Sequence, residues 1–105
     1  MGGLLKVSTP EESLYSSNFF THKNTSIYCN EFRELGGTAL MKAGSPDAPN
    51  GETLVVLQNI NHNNANIIQI GYAFNTNGLI SGVYLRTWNN SAGFRAWRKI
   101  SLTDI

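Results

Sequence analysis

Three apolar and aromatic runs, separated by two turn-rich breaks, make up residues 67–100 and constrain the fold more than any other stretch. In the first run, large side chains alternate with small or polar ones. The large ones are Ile68, Ile70, Tyr72 and Phe74, and the alternate positions hold Gln69, Gly71 and Ala73. This period of two residues predicts a half-buried strand, because a helix would need a spacing of three or four.

The second run, residues 82–88, also alternates and gives one strand two chemically different faces. Its aliphatic face holds Val83, Leu85 and Thr87, and its aromatic and cationic face holds Tyr84, Arg86 and Trp88. Aromatic rings stack on the apolar side of sugar rings and are enriched at interfaces generally. We therefore take the aromatic and cationic face as the candidate binding surface.

The two breaks carry the residues that close hairpins. Residues 75–78 read Asn-Thr-Asn-Gly and residues 89–93 read Asn-Asn-Ser-Ala-Gly. Asn and Gly tolerate positive φ, so both breaks predict tight turns between antiparallel neighbours. The third run, residues 94–100, is predicted to be a strand with Phe94 and Trp97 on opposite sides. The whole stretch then forms a strand meander.

The same stretch resembles the closing segment of bacteriophage tail-fibre and baseplate proteins, of the kind known as the pyocin-knob C-terminal domain. The matching parts are an aromatic-rich strand at 70–74, an aromatic-x-Arg strand at 84–86, an Asn-rich turn at 89–93 and a Trp-Arg-Lys-Ile ending at 97–100. A weaker likeness extends upstream through 36–38 and 45–51, so that about two thirds of the chain is covered. Trp88 departs from the pattern, which has a smaller aromatic residue there.

The resemblance implies a non-enzymatic receptor-binding tip domain in the virion, forming a homotrimer and joined to an upstream fibre or baseplate domain. Its partner would be a host cell-surface polysaccharide or teichoic acid, bound weakly at each site and strengthened by repetition around the trimer. One alternative is a structural trimerisation or capping module of a phage fibre. Another is the C-terminal fragment of a phage depolymerase.

Composition agrees with a polar partner other than nucleic acid. The chain has 105 residues, which suits one domain, and its charged fraction is 14%, against about 25% in typical domains. A net charge of +1 gives no strong field for nucleic acid. After residue 53 the only acid is Asp104, while Arg86, Arg95, Arg98 and Lys99 are basic. This half suits an anionic surface polymer, or is an ordinary solvated face.

The sequence has no motif typical of a catalytic site, a metal site or a membrane-spanning segment. Glycoside hydrolysis needs two juxtaposed carboxylates, and Asp47 and Glu52 in the Pro-rich loop have no clear partner. No nucleophile elbow, phosphate-binding glycine loop or zinc spacing occurs. Cys29 is the single cysteine and is expected to be a buried thiol. We expect that the chain is not an enzyme, that it binds no cofactor or metal, and that it does not insert into a membrane.

The remaining segments complete an all-β fold, a mostly antiparallel sheet or sandwich of short hairpins with one short N-terminal helix. The helix is predicted from the Thr-Pro-Glu-Glu start at residue 9 to about residue 17. Strands are predicted over 25–32, 38–42 and 52–60, and the apolar run 54–57 is either buried on both sides or placed at a subunit interface. Residues 1–35 form a connecting segment and 36–105 the knob-like β domain, within one compact unit.

The candidate ligand-binding residues gather around the aromatic face and two polar turns, one predicted at 61–66 and the other at 89–93. They are Tyr84, Arg86, Trp88, Asn89, Asn90, Arg95, Trp97 and His62. Folding back at 89–93 would make Arg95 and Trp97 cross-strand neighbours of the aromatic face. Trp97 has a competing interpretation as a core residue with Arg86 or Arg98 stacked on it, and His62 as an ordinary loop histidine. Exposure of Arg86 and Trp88 would favour attachment, and burial between subunits would favour capping.

Overall fold

A single antiparallel sheet dominates the computed structural model, which describes residues 22–63 and 65–105 except for the side chain of His62. Its strands are β1 Gly36–Leu40, β2 Val55–Asn63, β3 Asn66–Phe74, β4 Ile80–Asn89, β5 Gly93–Phe94 and β6 Arg98–Ile100. Two short 3-10 turns, Cys29–Glu31 and Pro49–Gly51, lie outside the sheet. The predicted all-β, mostly antiparallel fold is confirmed. The helix predicted over 9–17 lies outside the described residues.

The sheet is a meander in which β1, β2, β3 and β4 follow one another and both β5 and β6 pair with β4. At its centre, Ile70 lies opposite Gln58 of β2 and Leu85 of β4. The hairpin turns predicted at 75–78 and 89–93 are confirmed. Gly78 and Gly93 take φ values of 81° and 72° there, which residues with a side chain rarely adopt.

The third run is two short strands separated by a bulge, so the prediction of one continuous strand is wrong. Phe94 pairs with Trp88, whereas Arg98 pairs with Leu85. Three residues, 95–97, therefore lie opposite two residues of β4, 86–87. The additional residue makes this segment a β-bulge. The extra residue reverses the alternation, and Phe94 and Trp97 reach the same side of the sheet.

Residues 25–32 do not form the predicted strand. Ile27 makes one isolated bridge to Met41 at the edge of β1, and the chain then turns through the 3-10 turn Cys29–Glu31. The carbonyl groups of Cys29 and Phe32 accept hydrogen bonds from the Gln69 side chain, so they need no neighbouring strand. Both residues are fully buried, and part of the predicted connecting segment therefore belongs to the core.

One side of the sheet, called here the inner face, carries the core. Residues 27–32 and the loop 45–50 cover it. The buried core side chains are Cys29, Phe32, Ala39, Met41, Val55, Leu57, Ala73 and Tyr84. Small residues at Gly71 and Ala73 of β3 leave room on this side for larger groups from β4 and from the covering loop.

The opposite side of the sheet, called here the open face, is apolar but not covered by any described residue. Its apolar side chains are Leu40, Val56, Ile60, Ile68, Ile70, Tyr72, Phe74, Val83, Leu85 and Ile100. Ile68 is 39% exposed and Tyr72 41%. Apolarity alone would bury this side of β3, and the structure instead buries the side that holds Gln69. The run 54–57 accordingly has Val55 and Leu57 buried and Val56 half-buried.

Replacing Leu57 by Ala tests the position of the core. The side chain is fully buried in β2, so the truncation should lower the free energy of unfolding by about 2–5 kcal/mol. Leu79→Ala is the matched control, because Leu79 is 64% exposed and should change stability by no more than about 0.5 kcal/mol. Urea denaturation of both variants measures the difference. Equal losses would contradict the assignment of the inner face.

Candidate functional site

Arg86 is the centre of the aromatic and cationic cluster, and the structure buries it. Its side chain is 0% exposed. The guanidinium carbon lies 3.6 Å from the centroid of the Phe94 ring and 4.3 Å from that of Trp97. The bulge at 95–97 makes this double stack possible, because it turns both rings toward the inner face. The stack supplies cation–π attraction in a site from which water is excluded.

A row of polar side chains crosses the inner face beside Arg86. Asn59, Gln69 and Arg86 are direct cross-strand neighbours on β2, β3 and β4. Arg86 Nε donates to Gln69 Oε1 at 2.8 Å, and Gln69 Nε2 donates to Asn59 Oδ1 at 3.2 Å. Asn59 Nδ2 in turn donates to the carbonyl oxygens of Phe32 and Glu34, both at 2.9 Å. This polar row fastens the segment that follows the 3-10 turn to the sheet.

The loop 45–50 closes the other end of the row through Asp47. Asp47 Oδ2 accepts a hydrogen bond from Arg86 Nη1 at 2.7 Å. Its carbonyl oxygen accepts from Trp97 Nε1 at 2.7 Å and from the Cys29 thiol at 3.5 Å. Asp47 adopts a φ of 62°, a left-handed conformation that costs energy outside glycine. These contacts hold the strained residue and lock the loop over the core.

Gly71 lies beneath this loop and has no space for a larger residue. A Cβ atom there would come within 3.2 Å of Val55 Cγ1, 3.5 Å of Pro49 Cγ and 3.6 Å of the Trp97 indole. The missing side chain lets the indole and the proline rest directly on the strand. A glycine in the middle of β3 is therefore a packing requirement of the loop and the indole.

Burial shifts the protonation equilibria of the cluster. It lowers the pKa of Arg86, while the Asp47 carboxylate acts in the opposite direction. It raises the pKa of the Cys29 thiol, which keeps that group protonated and a poor nucleophile at neutral pH. It also raises the pKa of Tyr84, whose hydroxyl donates to Glu52 Oε2 at 2.9 Å. These groups support the fold and are not poised for reaction.

The prediction that Tyr84 and Arg86 lie on an accessible binding surface is therefore wrong. Both residues are only 2% exposed. The polar row, Asp47 and the two rings surround the guanidinium, and its Nη2 is buried with no hydrogen-bond partner among the described residues. Trp97 is partly buried and packs against the core with Arg86 stacked on it, which favours the competing interpretation of this residue. Arg86 is buried within a single chain.

Four other predicted site residues come together at one end of the sheet, called here the loop end, which comprises residues 61–63, 65–66 and 88–93. Trp88 and Asn89 lie opposite Ile67 and Asn66, respectively. The backbone N–H of Asn90 donates to the carbonyl of Ala65 at 3.3 Å, so the two polar turns touch. His62 belongs to β2 by its backbone, and its side chain lies outside the described part. Arg95 is exposed just beyond, with its N–H bonded to the Thr87 carbonyl at 2.8 Å.

Several asparagines at the loop end hold the turns in shape. Asn89 Oδ1 accepts hydrogen bonds from the Ala92 N–H at 2.8 Å and from Ser91 Oγ at 3.1 Å. Asn63 Oδ1 accepts from the Ala65 N–H at 2.9 Å and from Asn66 Nδ2 at 3.0 Å. Such side-chain bonds to nearby backbone groups form Asx turns. Asn89 is thus mainly a turn residue, whereas Asn90 is exposed.

Three residues important to these sites escaped prediction. Arg33 stacks near Trp88, with its guanidinium carbon 5.9 Å from the ring centroid. Asp47 and Gln69 complete the environment of Arg86. Asp47 had a signal, since a carboxylate pinned between Pro46 and Pro49 is held in a fixed position. Arg33 and Gln69 had none, because their partners are distant along the chain.

The fold and the site define a small antiparallel β domain with a structural buried arginine, an apolar open face and a polar loop end. Within the described residues, no three His, Cys, Asp or Glu side chains group as metal ligands. None of the helices in the part described has the length and apolarity to cross a membrane. Comparison with protein-family models, curated proteins and solved structures finds no match to this chain. The likeness to phage knob domains rests on the sequence motifs alone.

Changing Asp47 to Asn tests the ion pair between the buried Arg86 guanidinium and the Asp47 carboxylate, whose side chain is 57% exposed. The substitution removes the negative charge opposite a guanidinium that is fully buried, and should lower the free energy of unfolding by about 1–3 kcal/mol. Glu34→Gln is the matched control, because Glu34 pairs with Lys23 at the same 2.7 Å distance, but the Lys23 side chain is 31% exposed whereas that of Arg86 is fully buried. An exposed pair contributes at most about 1 kcal/mol. A loss for Asp47→Asn no larger than that of the control would refute a structural role for the pair.

Proposed function

We propose that this chain is a non-enzymatic tip domain of a phage tail fibre or baseplate protein, and that it attaches to a host cell-surface polysaccharide or teichoic acid through its loop end. The proposal keeps the attachment role implied by the resemblance and moves the binding surface. Tyr84, Arg86 and Trp97 support that surface from within the core. Trp88, Arg33, Asn90 and Arg95 are the side chains that remain for a ligand.

The observation that carries the proposal is the position of Trp88. It belongs to the same strand face as Tyr84 and Arg86, but it lies at the end of the row and is only half-buried. The two Asn-rich turns meet beside it. A partly exposed indole offers an apolar plane to a sugar ring, and neighbouring polar groups can bond its hydroxyl groups.

Charge at the loop end suits an acidic polymer. Arg33 and Arg95 are both exposed, and no salt bridge to either is found among the described residues. A guanidinium binds phosphate or carboxylate groups with two parallel hydrogen bonds. The phosphates of a teichoic acid or the carboxylates of an acidic polysaccharide therefore fit this surface, and their binding should weaken as salt screens the charges.

The Arg86 cluster explains how the loop end can be rigid. Arg86 joins β4 to the segment that returns after the 89–93 turn, because Phe94 and Trp97 stack on its guanidinium. The turn between them is thereby fixed at both ends. Recognition residues are most effective on loops held by a rigid scaffold, since little entropy is then lost on binding.

Three of the five acidic side chains in the described residues support a role without catalysis. Asp47 bonds Arg86, and Glu52 accepts hydrogen bonds from both Tyr84 and Ser81. Glu34 pairs with Lys23. Each of these acids is engaged with a hydroxyl or a cation of the scaffold, whereas hydrolysis of a glycan needs two acids facing one substrate bond.

A second candidate is the structural role, a trimerisation or capping module of a phage fibre. The open face favours it, because apolar side chains such as Ile68 and Tyr72 remain substantially exposed on an otherwise well-packed sheet. The two roles are compatible in one domain, since the loop end and the open face are different surfaces.

Binding of Trp88→Ala to an array of bacterial polysaccharides and teichoic acids tests the attachment role. The wild-type chain should bind a subset of them, and loss of the indole should weaken that binding about tenfold or more. Arg33→Ala should weaken binding to the anionic polymers and reduce its dependence on salt.

Tyr28→Ala provides the matched control. Tyr28 is also a half-buried aromatic residue with a cation over its ring, since Lys42 Nζ lies 4.8 Å from the centroid, but it lies at the edge of β1. Its removal should leave glycan binding unchanged. Attachment through the loop end is ruled out if the wild type binds no polymer. It is also ruled out if Trp88→Ala and Arg33→Ala both bind as the wild type does.

A further inference from the structure

We propose that Arg33 sets the ligand specificity of the loop end. Its guanidinium covers the Trp88 indole, and an anionic group of the ligand must draw it away before a sugar ring can stack there. The inference rests on the proposed attachment role and narrows its ligand. The starting observation is the guanidinium carbon of Arg33, which lies over the Trp88 ring at 5.9 Å from the centroid. Residue 33 precedes β1 and lies outside the sheet, so the cover comes from a different part of the chain than the ring.

The backbone on both sides of Arg33 is fixed above β2. Asn59 Nδ2 donates to the carbonyl oxygens of Phe32 and Glu34, both at 2.9 Å. Phe32 is fully buried, and the Glu34 carboxylate pairs with Lys23 at 2.7 Å. Residue 33 is therefore held between two anchored neighbours. Its exposed side chain is the part that can move, by changing rotamer.

Beneath the Arg33 side chain lies one cross-strand row of the inner face. Asn61 of β2 pairs with Ile67 of β3, and Ile67 pairs with Trp88 of β4. A side chain that starts above β2 and ends over a ring of β4 crosses this row. Ile67 is 1% exposed although it lies outside the main core cluster, which agrees with a side chain lying over it.

The same row contains a polar atom without a partner. Asn61 Oδ1 is buried, and no hydrogen bond reaches it from any described residue. A buried acceptor without a donor is unfavourable, and a ligand hydroxyl brought to the row would supply the donor. Displacement of Arg33 would therefore uncover two features that suit a glycan. They are the indole plane of Trp88 and an acceptor roughly 10 Å away, across two strand spacings.

The acidic residues close to Arg33 in the chain do not hold its charge. Glu34 is engaged by Lys23, and Glu31 makes no salt bridge among the described residues. The strands beneath add no competing carboxylate, because Asp104 is the only acid after residue 53. The guanidinium thus stays on the indole while its hydrogen-bonding groups remain available to a ligand.

The chemistry of the displacement selects an anionic ligand. In the chain without ligand, the guanidinium has a cation–π contact with the indole, and a neutral sugar ring has no charge to offer in its place. A phosphate or a carboxylate bonds a guanidinium through two parallel hydrogen bonds, which are stronger than the contact that they replace. The fitting ligand is therefore a polymer that carries such a group next to a hydroxyl-bearing ring. Its anion moves Arg33, and its ring then occupies Trp88.

Quenching of tryptophan fluorescence tests the cover without any polymer. Iodide collects near a guanidinium whereas caesium is repelled, so the ratio of iodide to caesium quenching should fall in Arg33→Ala. Acrylamide is neutral and should quench Arg33→Ala more strongly than the wild type, because the indole of Trp88 is uncovered. Trp97 contributes equally to all samples, since its Nε1 is bonded to the Asp47 carbonyl at 2.7 Å.

Lys42→Ala is the matched control for quenching. Lys42 is also an exposed cation over an aromatic ring, with Nζ 4.8 Å from the centroid of Tyr28, and its removal changes the net charge by the same amount. It should leave every quenching constant near the wild-type value, and the urea midpoints of both variants should stay close to that of the wild type. Quenching of Arg33→Ala that equals the wild type with acrylamide and with iodide overturns the proposal.

A pair of polymers with the same sugars, one anionic and one neutral, tests the selection. The wild type should bind the anionic polymer at least about tenfold more tightly. Arg33→Ala should lose most of this preference. It should also bind the neutral polymer about two- to fivefold more tightly than the wild type does, because no cation–π contact has to be broken.

The outcomes separate this inference from the attachment role. Equal binding of the two polymers by the wild type overturns the selection and leaves attachment through Trp88 intact. Weaker binding of the neutral polymer by Arg33→Ala than by the wild type has the same meaning. A wild type that binds no polymer contradicts the attachment role and the selection with it, whereas the quenching result stands by itself.

Discussion

The buried guanidinium of Arg86 is the interaction on which the rest of this structure depends. It joins three parts of the chain that are distant in sequence: the loop with Asp47, the polar row through Gln69, and the segment with Phe94 and Trp97. A buried charge is tolerated only when hydrogen bonds and partners offset its loss of hydration. That need explains the left-handed conformation of Asp47, the bulge that brings both rings to one side, and the glycine at position 71.

The same interaction decides which side of the sheet faces inward. Once Arg86, Gln69 and Asn59 are committed to the inner face, the alternation of β2, β3 and β4 places residues such as Val56, Ile68 and Val83 on the other side. The sheet thus has a covered side that is partly polar and an apolar side that no described residue covers. The first supports the turns of the loop end, and the second is the exposed surface that favours the structural candidate, so the two proposed roles have a common structural origin.

The strand meander, its turns and its antiparallel order could be predicted from residues 67–100, because alternation and turn chemistry are local properties. Which face of the sheet is buried could not be predicted, because it depends on hydrogen bonds that Asp47 and Gln69 make to Arg86 from a loop and a neighbouring strand. The bulge was hidden for a similar reason, because residues 94–100 alternate well enough to suggest one strand. The alternation in residues 25–32 was also misleading, because the carbonyl of Phe32 is bonded by Gln69 and Asn59 and not by a strand. Trp88 is partly exposed, as the attachment hypothesis requires, and its ligand-binding role stays a prediction. Its neighbour Arg33 left no local signal.

The most direct test of this account compares the solvent access of two tyrosines that lie on neighbouring strands and on opposite faces of the sheet. Tyr84 is 2% exposed on the inner face, and Tyr72 is 41% exposed on the open face. Hydroxyl-radical footprinting with mass spectrometry reports the access of each ring to water in the folded chain. The account predicts that Tyr84 is protected and that Tyr72 is modified in the dilute folded protein. Modification of Tyr84 as rapid as that of Tyr72 in the dilute folded protein would contradict it.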